Sequence, residues 1–271
     1  MSDTPKPTAA PLPAATVVIL RDGRHGVEVF MVVRHREVDF ASGALVFPGG
    51  KVDAGDADAA WADLAPGAPV LPDRAFVVAA ARETFEEAGL VLARRRDAQS
   101  LLDAEDTHRL VERYRAQLLA GEISFLDLVR AEDLLLATDL MVPFAHWITP
   151  ERVPKRFDTH FLLVAAPVDQ LGAHDGGESV EGFWIAPRQA LRDAEAGART
   201  LVLPTQMNLI KLARYATVAE AVAATRASPI VTVTPRIERT AAGRKLHIPA
   251  EAGYGVTEVL VPATARGQSQ A

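Results

Sequence analysis

The sequence predicts an α/β fold, because strand-like apolar runs stand on both sides of segments with helical periodicity. Two runs near the start, residues 15–20 and 27–34, are separated by a glycine-containing turn and predict a β-hairpin. Later strands are predicted over three ranges: 141–148, 157–167 and 181–187. Strands that surround helices in this way indicate layers of helices packed on one sheet.

Helices are predicted between and after these strands. The first extends from about Asp73, a candidate N-cap, to Ala88, and Gly89 ends it in the left-handed conformation. Beyond it the predicted elements are a mostly helical segment at 97–136, helices from 188, at 203–214 and at 218–225, and an appended two-stranded unit at 229–236 and 245–249. The chain therefore continues past the α/β unit with an extension.

Three carboxylates crowd the end of the first helix. Residues 82–90 read R-E-T-F-E-E-A-G-L, which places Glu83, Glu86 and Glu87 within one turn. Like charges at this spacing cost roughly 0.2–0.5 kcal/mol per pair, and the helix C-terminus is itself negative. Hard divalent cations such as Mg²⁺ and Mn²⁺ prefer carboxylate oxygens. The cluster therefore predicts a cation site.

This run resembles the second half of the Nudix box, G-x5-E-x7-R-E-U-x-E-E-x-G-U, in which U is a bulky aliphatic residue. The first half lies at residues 47–56, where Gly50 is the opening glycine and Asp56 stands where the family has Glu. Because Asp56 is one methylene shorter than Glu, Asp53 is an alternative for its place in an outer ligand shell. The two halves are 25 residues apart instead of seven, so the box, 50–90, carries a loop insertion around 57–74.

The resemblance implies a Nudix α/β/α sandwich with a mixed central sheet, and hydrolysis of a diphosphate joined to a larger moiety. It implies four ligands for Mg²⁺ or Mn²⁺: Glu83, Glu86, Glu87 and the carbonyl of Gly49. Arg82 is expected to orient the carboxylates, with an ordinary helix ion pair as the alternative. Family members use either a box glutamate or a loop glutamate as general base, so Glu86 and Glu178 are both candidates.

Residues 34–50 follow the spacing of the coenzyme A pyrophosphatase signature, R-[SA]-x3-R-x3-G-x3-F-P-G-G. Arg34, Gly43 and Phe47 fit this signature and are candidate substrate-binding residues, together with Arg36. The resemblance therefore implies coenzyme A as the substrate class.

Two residues depart from that signature. His35 replaces the small residue, and Asp39 replaces the second arginine, which removes a contact to the nucleotide phosphates; basic Arg36 is a candidate to compensate. The interrupted box, with R-F-D-T-H-F at 156–161 and L-P-T-Q-M-N-L at 203–209, nevertheless resembles the motif-19 group of Nudix hydrolases, which contains a coenzyme A diphosphatase.

Three functions are open on these grounds. The first is cleavage of coenzyme A or acyl-coenzyme A to adenosine 3′,5′-bisphosphate and (acyl)phosphopantetheine. The second is a Nudix pyrophosphatase on ADP-ribose, NADH or a related nucleotide, which the altered Asp39 favours. The third is a nucleotide-binding module without turnover, and the intact Glu83, Glu86 and Glu87 argue against it.

The predicted domain organisation has four segments. Residues 1–13 are a flexible Pro/Ala-rich lead-in, 14–215 are the Nudix domain, 216–262 are a C-terminal extension with a helix and two strands, and 263–271 are a flexible tail.

Charge and composition limit the classes of molecule that the protein is expected to bind. The net charge of −6 argues against a nucleic-acid or anionic-membrane surface, and no segment approaches the length of a membrane span. Cysteine is absent, which excludes disulfides and thiol nucleophiles and is compatible with a reducing cytoplasm. The expected partner is a small nucleoside diphosphate derivative, and dimers are common among Nudix relatives, so a homodimer is an open expectation.

For several other polar or aromatic residues, both a functional and a structural role are open. Arg156 and Asp158 either contact substrate or pair with each other or water. His146 and His160 alternate with apolar residues in strands and are expected to be half-buried structural histidines. Trp61 in the insertion either stacks on a base or packs the insertion against the protein body.

Overall fold

A mixed eight-stranded sheet organises the part of the chain that this computed structural model describes, residues 9–33, 43–69, 71–151, 153–167 and 182–262. Its strands are β1 Leu12–Gly23, β2 Gly26–Val33, β3 Leu45–Val46, β4 Gly49–Lys51, β7 Val142–Ile148, β8 Phe157–Ala165, β9 Gly182–Ile185 and β10 Thr232–Val233. They are ordered β10-β7-β8-β1-β2-β3, with β4 also paired to β1 and β9 to β2.

Strand β1 is the centre of this sheet. It forms the predicted hairpin with β2, which is confirmed, and runs parallel to β8, so that Ala15 lies opposite His160. On its other edge Ala15 also faces Gly50 of β4. Strand β1 therefore connects the F-P-G-G segment to the strands that follow the inserted helices.

Helices cover both faces of the sheet. On one face lie α1 Trp61–Leu64, α2 Ala75–Ala88, α3 Ala104–Leu110, a π-helical segment Val111–Arg115, α4 Ala116–Leu119 and α5 Phe125–Ala131. On the other lie α6 Pro187–Glu195, α7 Leu203–Leu212 and α8 Val218–Arg226. The predicted α/β/α sandwich is confirmed, and no helix of the described residues is long and apolar enough to cross a membrane.

The alternation of side chains along β1 supplies both core layers. Val17 and Ile19 pack with α2, whereas Val18 and Leu20 pack with α7 and α8. Because β1 is buried on both faces, its sequence is the continuous apolar run A-T-V-V-I-L. This run is the pattern that predicted the strand.

Helix α2 ends at Gly89 as predicted, whereas its N-cap is Arg74, one residue after the predicted Asp73. The Asp73 carboxylate accepts the Ala75 N–H at 3.0 Å, and Gly89 ends the helix with φ +63°. The left-handed glycine stops the helix directly after Glu86 and Glu87, so both carboxylates lie in its last turn.

Two predictions of secondary structure are wrong. Residues 134–136, predicted as helix, form strand β6 Leu134–Leu136, which pairs with β5 Ala93–Arg95. The predicted two-stranded unit is a three-stranded antiparallel sheet, made of β11 Arg236–Thr240, β12 Gly243–His247 and β13 Glu258–Pro262. Residues 232–233 instead join the main sheet beside β7. The pairings of β5 with β6 and of β10 with β7 join partners distant in sequence, which local apolar patterns do not report. The β11–β12 hairpin is local, and its strands are mostly polar.

A buried hydrogen-bond chain attaches the C-terminal extension to the sandwich. Trp147 Nε1 donates to the hydroxyl of Tyr254 at 2.8 Å, and this hydroxyl donates to Asn208 Oδ1 at 3.0 Å. The three side chains come from β7, the extension and α7. Because all three are buried, losing the central hydroxyl leaves a donor and an acceptor unsatisfied.

We expect Tyr254→Phe to lower the free energy of unfolding by about 1–3 kcal/mol, because Trp147 and Asn208 would lose their shared partner. Urea denaturation measures this change. The matched control is Tyr215→Phe, since the Tyr215 hydroxyl makes no hydrogen bond within the described ranges. Equal stabilities of the two variants would contradict the role of the chain in anchoring the extension.

Candidate active site

Two of the three box carboxylates, those of Glu83 and Glu87, lie against strand β4 near the C-terminal end of α2. The Gly49 N–H donates to Glu87 Oε2 at 3.0 Å, which joins the two halves of the box directly. Glu83 and Glu86 lie on the same side of the helix and both contact Arg82. The structure therefore places Glu87 against Gly49 and Glu83 beside Gly50, and Arg82 links Glu83 to Glu86.

The glycine pair allows this approach because it has no side chains. A Cβ on Gly50 would stand 2.2 Å from Glu83 Oε1, and a Cβ on Gly49 would stand 2.5 Å from the carbonyl oxygen of Ala15. Real Cβ atoms do not come so close to other atoms, so a larger residue at position 49 would push strand β1 away, and one at position 50 would displace the Glu83 carboxylate.

Arg82 uses all of its hydrogen-bond donors inside the protein. Its Nε and Nη2 donate to the two oxygens of Asp56 at 3.0 and 2.9 Å, and Nη2 also donates to the Lys51 carbonyl at 2.9 Å. Its Nη1 donates to Glu83 Oε1 at 2.9 Å and to Glu86 Oε2 at 3.0 Å. A guanidinium has five N–H groups, and these five contacts engage them all.

Asp56, and not Asp53, occupies the place beside Arg82. The side chain of Asp56 is 3% exposed and holds the guanidinium through both oxygens, whereas that of Asp53 is 68% exposed and stays 3.7 Å from Nη2. The Asp53 N–H donates to Asp56 Oδ2 at 2.8 Å, which fixes the orientation of the buried carboxylate. The shorter side chain at 56 therefore reaches Arg82 without difficulty.

The box insertion packs against the protein body. Its Trp61 is buried, donates from Nε1 to the Gly55 carbonyl at 2.9 Å and lies with its ring centroid 5.8 Å from that of Phe125. Trp61 therefore packs the insertion against the protein body, which is one of the two roles that the sequence left open for it. The insertion thus leaves the contact between Asp56 and Arg82 intact.

Crowding and burial shift the pKa values of the carboxylates. Burial raises the pKa of Glu83 to about 8; the neighbouring Arg82 opposes this shift, and Glu86 and Glu87 add to it. Burial likewise raises the pKa of Glu86. For Arg82, burial alone would lower the pKa, but the hydrogen bond and charge of Asp56 and the glutamate charges raise it above its usual value.

Arg115 is a site residue that the sequence does not indicate. Its Nε and Nη2 donate to the carbonyl oxygen of Glu86 at 2.8 and 2.6 Å, from the last position of the π-helical segment. A cation at the C-terminus of α2 offsets the negative end of the helix dipole where the carboxylates gather. Nothing near Arg115 in sequence relates it to Glu86, which is 29 positions away.

The donor set fits a hard divalent cation. Carboxylate oxygens of Glu83, Glu86 and Glu87, with the carbonyl of Gly49, are the ligands that Mg²⁺ and Mn²⁺ prefer. Burial is the largest cause of the raised pKa values of Glu83 and Glu86, and the charge of Arg82 opposes the rise without cancelling it. Which ion binds stays a prediction.

The other candidate residues are placed apart from this cluster or lie outside the described ranges. Phe47 is buried against Phe161 on the sheet face opposite α2, with ring centroids 6.4 Å apart. Gly43 has φ +71° and open space where a Cβ would be. Arg34, Arg36 and Glu178 lie outside the described residues.

Comparisons with known proteins agree on one family. A family model described as the NUDT19 Nudix domain matches residues 65–212. A NUDIX hydrolase from Alicyclobacillus acidocaldarius, solved by crystallography, is 28% identical and superposes with a TM-score of 0.59 over 79% of this chain and 96% of that one.

Curated relatives match over about 70% of this chain. The putative nudix hydrolase 7 of Caenorhabditis elegans is 31% identical over 188 residues, 69% of this chain and 56% of the relative. The acyl-coenzyme A diphosphatase NUDT19 of Xenopus laevis is 22% identical over 233 residues, and that of Gallus gallus is 26% identical over 236 residues. The matches cover 71% and 69% of this chain and 61% of each NUDT19 relative, so less than two thirds of the curated proteins is spanned.

We expect Asp56→Asn to lower the free energy of unfolding by roughly 3 kcal/mol, because it removes the buried carboxylate that accepts from both Nε and Nη2 of Arg82 and leaves only Glu83 and Glu86 to balance the guanidinium charge. Asp53→Asn, the same change on an exposed side chain, should stay within about 0.5 kcal/mol of the parent. Urea denaturation of both variants measures the two changes in the free energy of unfolding. A similar small effect of both changes would contradict the structural role of Asp56.

Metal-free protein should lose stability as the pH rises toward about 8. The folded-state pKa of Glu83 is raised above its usual value of 4.5, so the folded protein holds this proton more tightly than the unfolded chain does. The stability from that proton is complete below the usual pKa and is lost through about pH 8.

Urea denaturation with a chelator at about pH 5 and about pH 9 measures this loss, and saturating Mg²⁺ should reduce it. Glu83→Gln, which cannot titrate, should flatten the pH dependence. A dependence that is identical in the parent and in Glu83→Gln would show that the loss comes from other groups.

Proposed function

Because this chain belongs to the Nudix hydrolases of the NUDT19 type, we propose that it cleaves the diphosphate of coenzyme A or of an acyl-coenzyme A. The products are adenosine 3′,5′-bisphosphate and (acyl)phosphopantetheine, and water supplies the oxygen that separates the two phosphates. Two vertebrate relatives are named acyl-coenzyme A diphosphatases, and residues 34–50 keep the spacing of a coenzyme A pyrophosphatase signature. These two observations support the substrate.

The contact of Glu87 with Gly49 in β4, and the shared contact of Glu83 and Glu86 with Arg82, support the chemistry. Nudix hydrolases generally use divalent metal ions, and we propose Mg²⁺ or Mn²⁺ at these carboxylates and the Gly49 carbonyl. The ion supplies positive charge to the diphosphate oxygens. The reaction needs no nucleophilic side chain, because a carboxylate directs water at phosphorus.

Glu86 is the proposed general base. Its carboxylate lies in the last turn of α2, is held by Arg82 at 3.0 Å, and has its pKa raised by burial. A raised pKa makes a carboxylate a better proton acceptor near neutral pH. Glu178 is the competing base and is also a candidate for a further metal ligand, so normal turnover in Glu178→Gln would exclude it from both roles.

Arg82 acts as a positioning residue in this mechanism. Its five N–H groups are all engaged by Asp56, Glu83, Glu86 and Lys51, so none is left for a substrate phosphate. Its work is to hold the carboxylates of Glu83 and Glu86 in fixed orientations beside β4. Substrate phosphates are met by the bound cation and by basic groups other than Arg82.

A second candidate keeps the same chemistry with another nucleotide. Asp39 stands where the coenzyme A signature has arginine, and this loss of positive charge favours ADP-ribose, NADH or a related substrate without a 3′-phosphate. Both candidates are diphosphates joined to a nucleoside, so the site chemistry does not separate them.

The substrate is tested by incubating the protein and Mg²⁺ with coenzyme A, acetyl-coenzyme A, ADP-ribose and NADH separately, and identifying products by mass spectrometry. Adenosine 3′,5′-bisphosphate from the coenzyme A compounds is the expected result. AMP from ADP-ribose or NADH alone would keep the hydrolase and replace the substrate. No product from any of the four compounds would contradict the proposal.

We expect Glu86→Gln to reduce the hydrolysis rate by about 100-fold or more, because the amide cannot accept the proton from water. The steady-state rate with Mg²⁺ measures this, and circular dichroism checks folding. Glu122→Gln, the same change at an exposed turn position, is the matched control. Near-normal turnover in Glu86→Gln would exclude Glu86 as the base.

A further inference from the structure

Three potential metal ligands meet on the sheet away from the box. His146 of β7 and His160 of β8 lie directly opposite each other, and Asp158 is two residues before His160 on the same face. One ligand atom from each residue lies within 4.8 Å of the others. Asp158 Oδ1 is 2.5 Å from His146 Nε2 and 3.8 Å from His160 Nε2.

The ring of His160 carries an unpartnered nitrogen. Its side chain is 7% exposed, and its Nε2 atom is buried without a hydrogen-bond partner. A buried polar atom without a partner costs free energy, so it indicates a ligand. The distance of 3.8 Å to Asp158 is too long for a hydrogen bond but allows two metal bonds of about 2.0–2.2 Å to meet.

Neighbouring groups fix the two rings. The Nδ1 atom of His146 is 2.8 Å from the Thr232 hydroxyl of β10, which directs Nε2 toward Asp158. Metal-bound histidines usually have such a partner on the second ring nitrogen. The His160 ring is stacked on that of His146 with centroids 4.0 Å apart, and Phe76 of α2 covers it at 4.4 Å.

We propose that His146, Asp158 and His160 bind a divalent transition-metal ion, with Zn²⁺ preferred. Two imidazole nitrogens and one carboxylate oxygen suit Zn²⁺, whereas Mg²⁺ prefers oxygen ligands alone. Three protein ligands leave a fourth position for water. Tetrahedral binding requires the His146 and Asp158 atoms to separate by roughly 1 Å. It also requires the two imidazole rings, which are stacked with an angle of 13° between their planes, to turn until both Nε2 atoms point at one ion.

This site is separate from the box cluster. His146, His160, Ala15 and Gly50 form one row across four adjacent strands. Strands are about 4.8 Å apart, so His160 lies roughly 10 Å from Gly50 along the row. Zinc here would join β7 to β8 and restrain the contact with the first turn of α2, without contacting the box carboxylates.

Burial lowers the pKa of His160 to about 4, with the nearby His146 as the second cause. The ring is therefore neutral at pH 7, the form in which imidazole binds metals. This agrees with the geometry of the three ligands, which carries the proposal.

The test is equilibrium dialysis of the tag-free chain against Zn²⁺ in millimolar Mg²⁺, which keeps the box cluster occupied by an ion that imidazole does not bind well. The expected result is one tightly held equivalent of Zn²⁺. That equivalent should be lost in His146→Gln, Asp158→Asn and His160→Ala, and retained in the box variant Glu87→Gln. Thr232→Val should weaken binding by about tenfold.

Circular dichroism checks each variant for folding. If His160→Ala does not fold, zinc binding is judged from His146→Gln and Asp158→Asn, because these two side chains are less buried. No zinc on the parent chain, or a full equivalent on His146→Gln and Asp158→Asn, would overturn the proposal. Loss of the bound Zn²⁺ in Glu87→Gln would also overturn the proposal, because it would show that zinc binds at the box carboxylates.

Discussion

The buried guanidinium of Arg82 is the interaction on which the site depends. It joins Asp56, from before the insertion, to Glu83 and Glu86 of α2, and it also holds the backbone carbonyl of Lys51 in β4. Burying this charge is unfavourable unless every donor is satisfied, and all five are. One side chain therefore sets the register between loop, strand and helix before any ion or substrate enters.

The same constraint explains how the box tolerates a long insertion. The residues between Asp56 and Arg82 form a short helix and turns, and Trp61 packs them on Phe125 while the contact across the insertion stays at 2.9–3.0 Å. Loop length costs little entropy once the ends are held. The π-helical segment Val111–Arg115 also contributes, since Arg115 holds the carbonyl of Glu86 and so stabilises the last turn of α2.

The sequence predicted the features that local patterns encode. The hairpin followed from two apolar runs and α2 from its periodicity and Gly89, while the metal ligands inferred from R-E-x-x-E-E and F-P-G-G stay a prediction. Strand β6 and the pairing of β10 with β7 were missed because their partners are distant in sequence. The β11–β12 hairpin is local, but its strands R-I-E-R-T and G-R-K-L-H are mostly polar and lack the apolar run that marked the other strands. Arg115 and the His146–Asp158–His160 cluster were missed because only strand register and helix packing bring those residues together. The histidines were predicted as structural, and nothing in their spacing indicated a shared ligand.

The most direct measurement is anomalous diffraction from crystals soaked in Mn²⁺. We expect density about 2.0–2.3 Å from carboxylate oxygens of Glu83, Glu86 and Glu87 and from the Gly49 carbonyl, while Arg82 keeps its contacts with Asp56. Mn²⁺ bound only elsewhere in the chain, or an Arg82 that leaves Asp56 when Mn²⁺ binds, would contradict the central claim that a prearranged carboxylate cluster forms the metal site of this hydrolase.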